Sequence, residues 1–228
     1  GIEDYTRIGS LLQPEQIVKY GELTLRENQI AYAEPSFFRL FDFELLKGDK
    51  KTCLSMPGQV VITERIASKY FKDEDPIGKI FIFTGAYDKI SCEVTGVMKE
   101  MPSNSHIHYS FLISYKSLPK YMQEYWYKHE AYTYVLLDSP ERKAEIEREF
   151  PVMAEKYKTD EALKNKTWGV SLIPLADIHL TPQVGYEAET KGNRSSMIAL
   201  IFAAIAILAI AWINYINLDR KSTRLNSS

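Results

Sequence analysis

Residues 197–213 are apolar without interruption, and the run MIALIFAAIAILAIAWINYINL continues through Asn214 to Leu218. As a helix rising 1.5 Å per residue, the uninterrupted part alone is about 26 Å long, and the remainder carries it past the roughly 30 Å of a bilayer's hydrocarbon. A buried helix of a soluble protein seldom runs this far without a charge. Residues 195–218 are therefore expected to cross a membrane. The span has a patterned face: Ala199, Ala203 and Ala206 share one helical stripe that continues through Ile210 to Asn214 and Asn217. Small residues let another helix approach, and amides turned to lipid would lack partners, so this side should meet protein. Trp212 and Tyr215 suit the interfacial zone near one end.

Residues 219–228, DRKSTRLNSS, do not continue that pattern. With an ordinary codon choice they back-translate to a string resembling the adapter ligated onto short-read sequencing fragments. They are expected to be translated adapter; the alternative is a native basic tail on the cytoplasmic side. These ten residues carry a net +2, so the other 218 carry −4 where the whole chain carries −2. Without them Lys191 and Arg194 are the charges nearest the helix, and those two alone would orient it the wrong way. Gly1 opens with no signal peptide, so an earlier transmembrane helix is expected ahead of an exported region of this size.

Residues 1–190 are long enough for one or two globular domains with a real core. Mild acidity and scattered lysines argue against nucleic acid, which would need clustered Lys and Arg. Cys53 and Cys92 make no disulfide framework; they could pair in an oxidising compartment, but two isolated cysteines more often read as buried thiols.

Along the chain, residues 22–34 alternate around Glu27-Asn28 and predict two short strands joined by a turn. A short helix is predicted after Pro35, with Phe37, Phe38, Leu40 and Phe41 as its bulky face; residues 42–49 then run into a loop. Residues 59–62 read as a strand, and Thr63 can cap a helix over 64–71 that turns Ile66, Ala67, Tyr70 and Phe71 inward. Residues 79–83 and 91–98 predict a hairpin, 107–114 and 132–137 further strands. Residues 115–130 have no clear period. Ser139-Pro140 should start a long helix whose inward face is Ile146, Phe150, Met153 and Tyr157, kinked or split at Pro151. Residues 168–174 predict a last strand. Without strict strand–helix alternation the body should be α+β, mainly antiparallel or built of split β-α-β units.

Each candidate for chemistry weakens under its own spacing. His106 and His108 would share one face of a strand, and His129 and His179 could join them, but no HExxH, CxxC or nearby acidic ligand completes a metal site. Asp73, Glu74 and Asp75 precede Pro-Ile-Gly and read as a solvated turn, since Ca²⁺ loops spread their ligands over alternate positions. Tyr121, Tyr125, Trp126 and Tyr127 could form a peptide- or glycan-contacting surface, although aromatics at near-helical spacing are more often core. GxSxG, P-loop and GxGxxG signatures are missing, so no catalytic, cofactor-binding or metal-binding residue is assigned.

The segments AEPSFFRLFDFELLKGD, VVITERIASKYFKDEDPIGKIF, VTGVMKEMPSNSHIHYSFLISY, PLADIHLT and the helix ending INYINL, in this order, resemble MacB-like, FtsX-like ABC transporter permeases of the Bacteroidota type. The resemblance runs from about Tyr20 to Leu218 and covers the periplasmic core domain and second transmembrane helix. It implies porter-like and sabre-like lobes over 1–190, outside a bacterial inner membrane, followed by the helix at 195–218. Such permeases have four transmembrane helices and act as dimers with a separate or fused cytoplasmic ABC ATPase. This segment itself would hydrolyse nothing and need no cofactor. ATP-driven closure would reach the periplasmic lobes through the helices, for efflux, lipoprotein extraction or control of a wall hydrolase, with a periplasmic adaptor or outer-membrane partner. The family pattern departs after Leu218, where a small-residue and then basic segment would be expected. The alternative is the extracytoplasmic sensor or ligand-binding domain of a membrane receptor. A third reading, a membrane-anchored enzyme, would need His106 and His108 to bind metal.

Overall fold

The computed structural model describes residues 1–9, 15–85, 89–123, 131–158, 165–178 and 194–225. The chain divides into two compact units, Gly1–Leu172 and Ile173–Ser228. The first holds a mixed sheet of ten strands: β1 (Ile2–Gly9), β2 (Glu15–Tyr20), β3 (Leu23–Asn28), β4 (Ile30–Ala33), β5 (Leu45–Lys47), β6 (Gln59–Thr63), β7 (Ile80–Thr84), β8 (Lys89–Met98), β9 (Phe111–Ser114) and β10 (Tyr132–Leu137). Four helices accompany them, α1 (Phe37–Leu40), α2 (Glu64–Phe71), α3 (Lys120–Gln123) and α4 (Arg142–Glu155). The second unit contains α5 (Arg194–Leu225).

Across the sheet the order is β10-β1-β4-β9-β6-β8-β7-β2-β3, with β5 added beside β8. β4 runs parallel to β9 and β6 parallel to β8. This order forces the sheet to curl. Five strands separate β4 from β3, so a flat sheet would hold them about 29 Å apart at ~4.8 Å per step. Yet Gln29 alone joins Asn28 to Ile30, a reach of at most about 7 Å. The strands from β4 round to β3 must therefore wrap around a common interior. Alternation then sorts the side chains. Val18, Ile30, Val60, Ile62, Phe81, Phe83, Phe111 and Ile113 fill that interior, and α2 closes it with Ile66, Tyr70 and Phe71. Their neighbours Ala31, Val61 and Leu112 face the other way, into a second core under Phe37 and Phe38 of α1, Leu54 and Ile107.

Several local expectations hold. Thr63 has extended backbone and its hydroxyl accepts the Ile66 amide at 3.5 Å, which caps α2 as its residue type predicts. The hairpin of β7 and β8 forms in register from Ile80↔Glu93 to Thr84↔Lys89. Others are corrected. The strands on either side of Glu27-Asn28 exist but do not pair with each other: β3 returns against β2 through the Gly21 turn, while β4 lies between β1 and β9. Gln29, at φ +58, swivels the chain between them. Residues 45–47, expected in a loop, make a short edge on β8. Residues 168–174 have no ladder partner among the described residues and stay irregular, apart from the Leu172 amide donating to Glu147 at 2.7 Å. Helix α4 starts at Arg142, because Ser139 and Pro140 spend their carbonyls on a preceding turn. It runs through Pro151 without splitting, and its buried residue is Ala154 while Met153 and Tyr157 are exposed.

Candidate functional site

Strand β9 begins at Phe111, so His106 and His108 sit in the lead-in to a strand rather than on one. Ile107 between them is buried and both imidazoles are half-buried. The Nε2 of His106 lies 3.2 Å from the Tyr134 hydroxyl, and its ring lies 6.4 Å from that of Phe41, centroid to centroid. Burial, with Tyr109 and Tyr132 nearby, pushes the Tyr134 phenol up and keeps it protonated, which suits it to donate to the imidazole. Among the described residues no three His, Cys, Asp or Glu gather into a group that could hold a metal ion. His129 and His179 lie outside the described residues, as do Tyr125, Trp126 and Tyr127. Tyr121, the described member of the aromatic cluster, is exposed on α3.

The acidic turn is committed to lysines. Lys79 donates to Glu74 at 2.8 Å and Lys47 to Asp75 at 3.0 Å. Those hydrogen bonds hold both carboxyls below the usual range, and Asp75 also accepts the Ile77 amide.

Three charged networks, one of them centred on a buried carboxylate, join elements that carry no motif in the sequence. Glu27, on β3, is 7% exposed and accepts from Lys69 at 2.6 Å and from the Tyr70 hydroxyl at 2.8 Å, both on α2. Arg7, on β1, donates to Glu34 and to the Gln123 carbonyl, and its guanidinium lies 4.4 Å from the centre of the Tyr115 ring. Arg65 at the start of α2 donates to the Ser110 hydroxyl at 2.7 Å, and Ser110 donates to the Gln29 side chain at 2.9 Å. Each arrangement ties strands to a helix or loop. The available signal was a charged residue at an inward strand position, as at Glu27.

Cys53 and Cys92 are free, buried thiols in separate cores, as their isolation in the sequence predicts. Burial pushes Cys53 from 9.0 up to about 11 and Cys92 from 9.0 up to about 12. The unfolded chain ionises both thiols at lower pH than the folded one, so their contribution to stability is intact below pH 9 and is lost as pH rises through 11 to 12. Urea midpoints measured from pH 8 to 11 should fall above pH 9, and replacing both thiols by Ala should flatten that fall.

What the chain leaves uncovered is α5. Its stretch Ile198–Asn217 has a mean hydropathy of 2.4, and no part of that window is buried. A helix in a soluble core would be mostly covered; here Phe202, Leu208 and Trp212 all stand open. It is one helix long and apolar enough to cross a membrane, as expected for residues 195–218. Leu208→Arg near its centre should raise the cost of insertion by about 3 kcal/mol, read as the inserted fraction in a microsomal glycosylation assay.

Residues 3–151 match the MacB-like periplasmic core domain, and the chain belongs to that family. The fold is similar to a domain of a permease protein from Porphyromonas gingivalis, with a TM-score of 0.60 at 23% identity over 72% of this chain and 74% of that one. It also matches the periplasmic region of MacB from Actinobacillus actinomycetemcomitans, with a TM-score of 0.48 at 15% identity over 68% and 67% of the two chains. The extracellular domain of the ABC-type transporter YknZ from Gram-positive bacteria gives a TM-score of 0.49 at 17% identity over 71% and 80%. No curated protein matches. The chain is thus a MacB-like ABC transporter permease periplasmic domain carrying, among the described residues, one candidate transmembrane helix.

Proposed function

We propose that this chain is the mechanical part of an ABC permease. Its extracytoplasmic domain moves as a body when a cytoplasmic ATPase closes, and makes or breaks no covalent bond itself. One observation carries the reading: a single curled sheet, packed on both faces, shares a chain with an uncovered apolar helix. Interiors packed in this way transmit displacement rather than absorb it. The reading puts residues 1–190 in the periplasm, 195–218 in the inner membrane beside further helices, and 219–228 outside the native chain as translated adapter. Its partners are a second permease copy, the ABC ATPase, and a periplasmic adaptor or outer-membrane protein. The movement would serve efflux, lipoprotein extraction or control of a wall hydrolase.

Lys51 is exposed on unit 1, and the native thiols are buried, so Lys51→Cys offers a selective label. In cells with a permeabilised outer membrane, an impermeant maleimide should label it. In the intact permease assembled with its ATPase in lipid, spin labels there should report different distances between the two copies in the nucleotide-free and ATP-bound states. Identical distance distributions would overturn the mechanical reading. Sequencing the source DNA across the codon for Leu218 tests the assignment of residues 219–228.

A further inference from the structure

We propose that the β2–β3 hairpin is a flap that opens as a unit, hinged at Gln29 and latched to α2 by Glu27. The hairpin is bound more to itself than to the sheet. Its internal ladder runs six residues, from Glu15↔Asn28 to Tyr20↔Leu23, whereas among the described residues β2 meets β7 over three, Ile17 to Lys19. β3 is the last strand of the sheet order and has no further neighbour there among the described residues. Its downstream joint is a single residue, so one pair of backbone angles can swing the hairpin away from β4. Gln29 is held at φ +58, a left-handed conformation that costs an ordinary side chain energy. It stays there because its carbonyl accepts the Ser110 and Phe111 amides at 2.8 and 3.2 Å while its side chain accepts the Ser110 hydroxyl. Residues kept in such a region persist only where their surroundings impose it.

The inner fastening is polar. Opposite Glu27 on β2 lies Gln16, also buried, so this end of the hairpin closes on α2 through the carboxylate rather than through packing. Val18, Leu25 and Tyr20 supply the apolar part of the closure, with Tyr20 set edge-on to Phe71 at 4.7 Å between centroids. Swinging the hairpin out bares Phe71, Phe81 and Phe83 together with the edge of β7. It leaves β4, β9, β6 and β8 paired as they are. This is a sub-global opening, of the kind that lies below whole-domain unfolding in free energy.

Hydrogen exchange of the full chain in lipid nanodiscs tests the flap. Amides of residues 15–28 should exchange before those of β6 and β9. Glu27→Gln keeps the side chain's size and removes its charge. It should speed exchange in the hairpin roughly ten- to hundredfold, the worth of a buried charge-assisted hydrogen bond, and leave β6 and β9 unchanged. Lys69→Met removes the cation while Tyr70 remains a donor, and should give a smaller acceleration in the same residues. Should Glu27→Gln fail to fold, a disulfide between cysteines at the paired positions Lys19 and Ile82 replaces it. Closing that bond should slow the hairpin to the rate of β6. Hairpin amides exchanging in step with β6 and β9 in the unmodified chain, or all strands accelerating equally in the variants, would overturn the proposal.

Discussion

Gly48→Ala is expected to cost about 3–5 kcal/mol and to leave little folded domain at 37 °C, the two effects behind that figure being backbone strain and a clash that nothing flexible can relieve. Gly48 follows β5 at φ +97, a conformation that costs an L side chain roughly 1–2 kcal/mol. A Cβ there would lie 2.4 Å from the Thr95 carbonyl oxygen and 3.0 Å from the Gly96 Cα. Both atoms are backbone of β8, which is paired to β6 on its opposite edge at Val94 and Gly96, so neither can withdraw. The strand would have to leave β8, and with it the Leu45 packing against the second core. Gly21→Ala separates the two effects: φ is +55, but the added carbon meets nothing within 4 Å. That variant should lose only about 1 kcal/mol. Urea denaturation of both variants in detergent, followed by circular dichroism, decides it. Equal midpoints would mean that Gly48 does not approach β8 as closely as described.

The elements legible in the sequence are those whose signals are local. Gln59–Thr63 offers an apolar run ending in a capping threonine, and α2 follows with its inward residues three and four apart. The span in α5 announces itself by length alone. What stayed hidden depends on partners distant in the chain. In β1 the apolar residues Ile2, Tyr5 and Ile8 do not alternate, because Thr6 takes an inward place and Tyr5 is left exposed. In β2 the inward positions are Gln16 and Val18, while Ile17 points out, so hydrophobicity misplaces the face. Gln29 carries none of the glycine chemistry by which a left-handed joint is usually found. The reverse error arose at 168–174, where strand-like residues find no ladder. Strand propensity measures fit to a neighbour, and here no neighbour is in place among the described residues. The polar latches at Glu27 and Arg7 were hidden for the same reason: each reads as a solvated surface charge until the fold supplies its partner.

Phe81→Ala should be the most damaging substitution in the interior, at about 3–5 kcal/mol, because its ring packs at once against α2, β2 and β9, which the curl brings together. It is wholly buried on β7, with ring centroids at 4.9 Å from Tyr70 and 5.3 Å from Phe71 on α2, 6.0 Å from Tyr20 on β2, 6.0 Å from Phe83, and 5.9 Å from Phe111 on β9. Most are edge-on or tilted, the arrangements in which aromatic pairs add about 0.5–1.5 kcal/mol beyond area, though pairs around one ring do not sum. Removing it opens a void that α2 cannot close without leaving Thr63 and its cap, and that β2 cannot close without breaking its short ladder to β7. Phe81→Leu keeps much of the volume and should lose less than half as much. Ile80→Ala, one residue away on the outer face and more than half exposed, should move the midpoint by less than about 0.5 kcal/mol. The ranking Phe81→Ala, Phe81→Leu, Ile80→Ala in urea midpoint follows from the curl: in a flat sheet Phe81 could not reach α2 and β9 at once. Similar losses for Phe81→Ala and Ile80→Ala would place both faces of β7 in equivalent surroundings, and the closed interior would then be wrong.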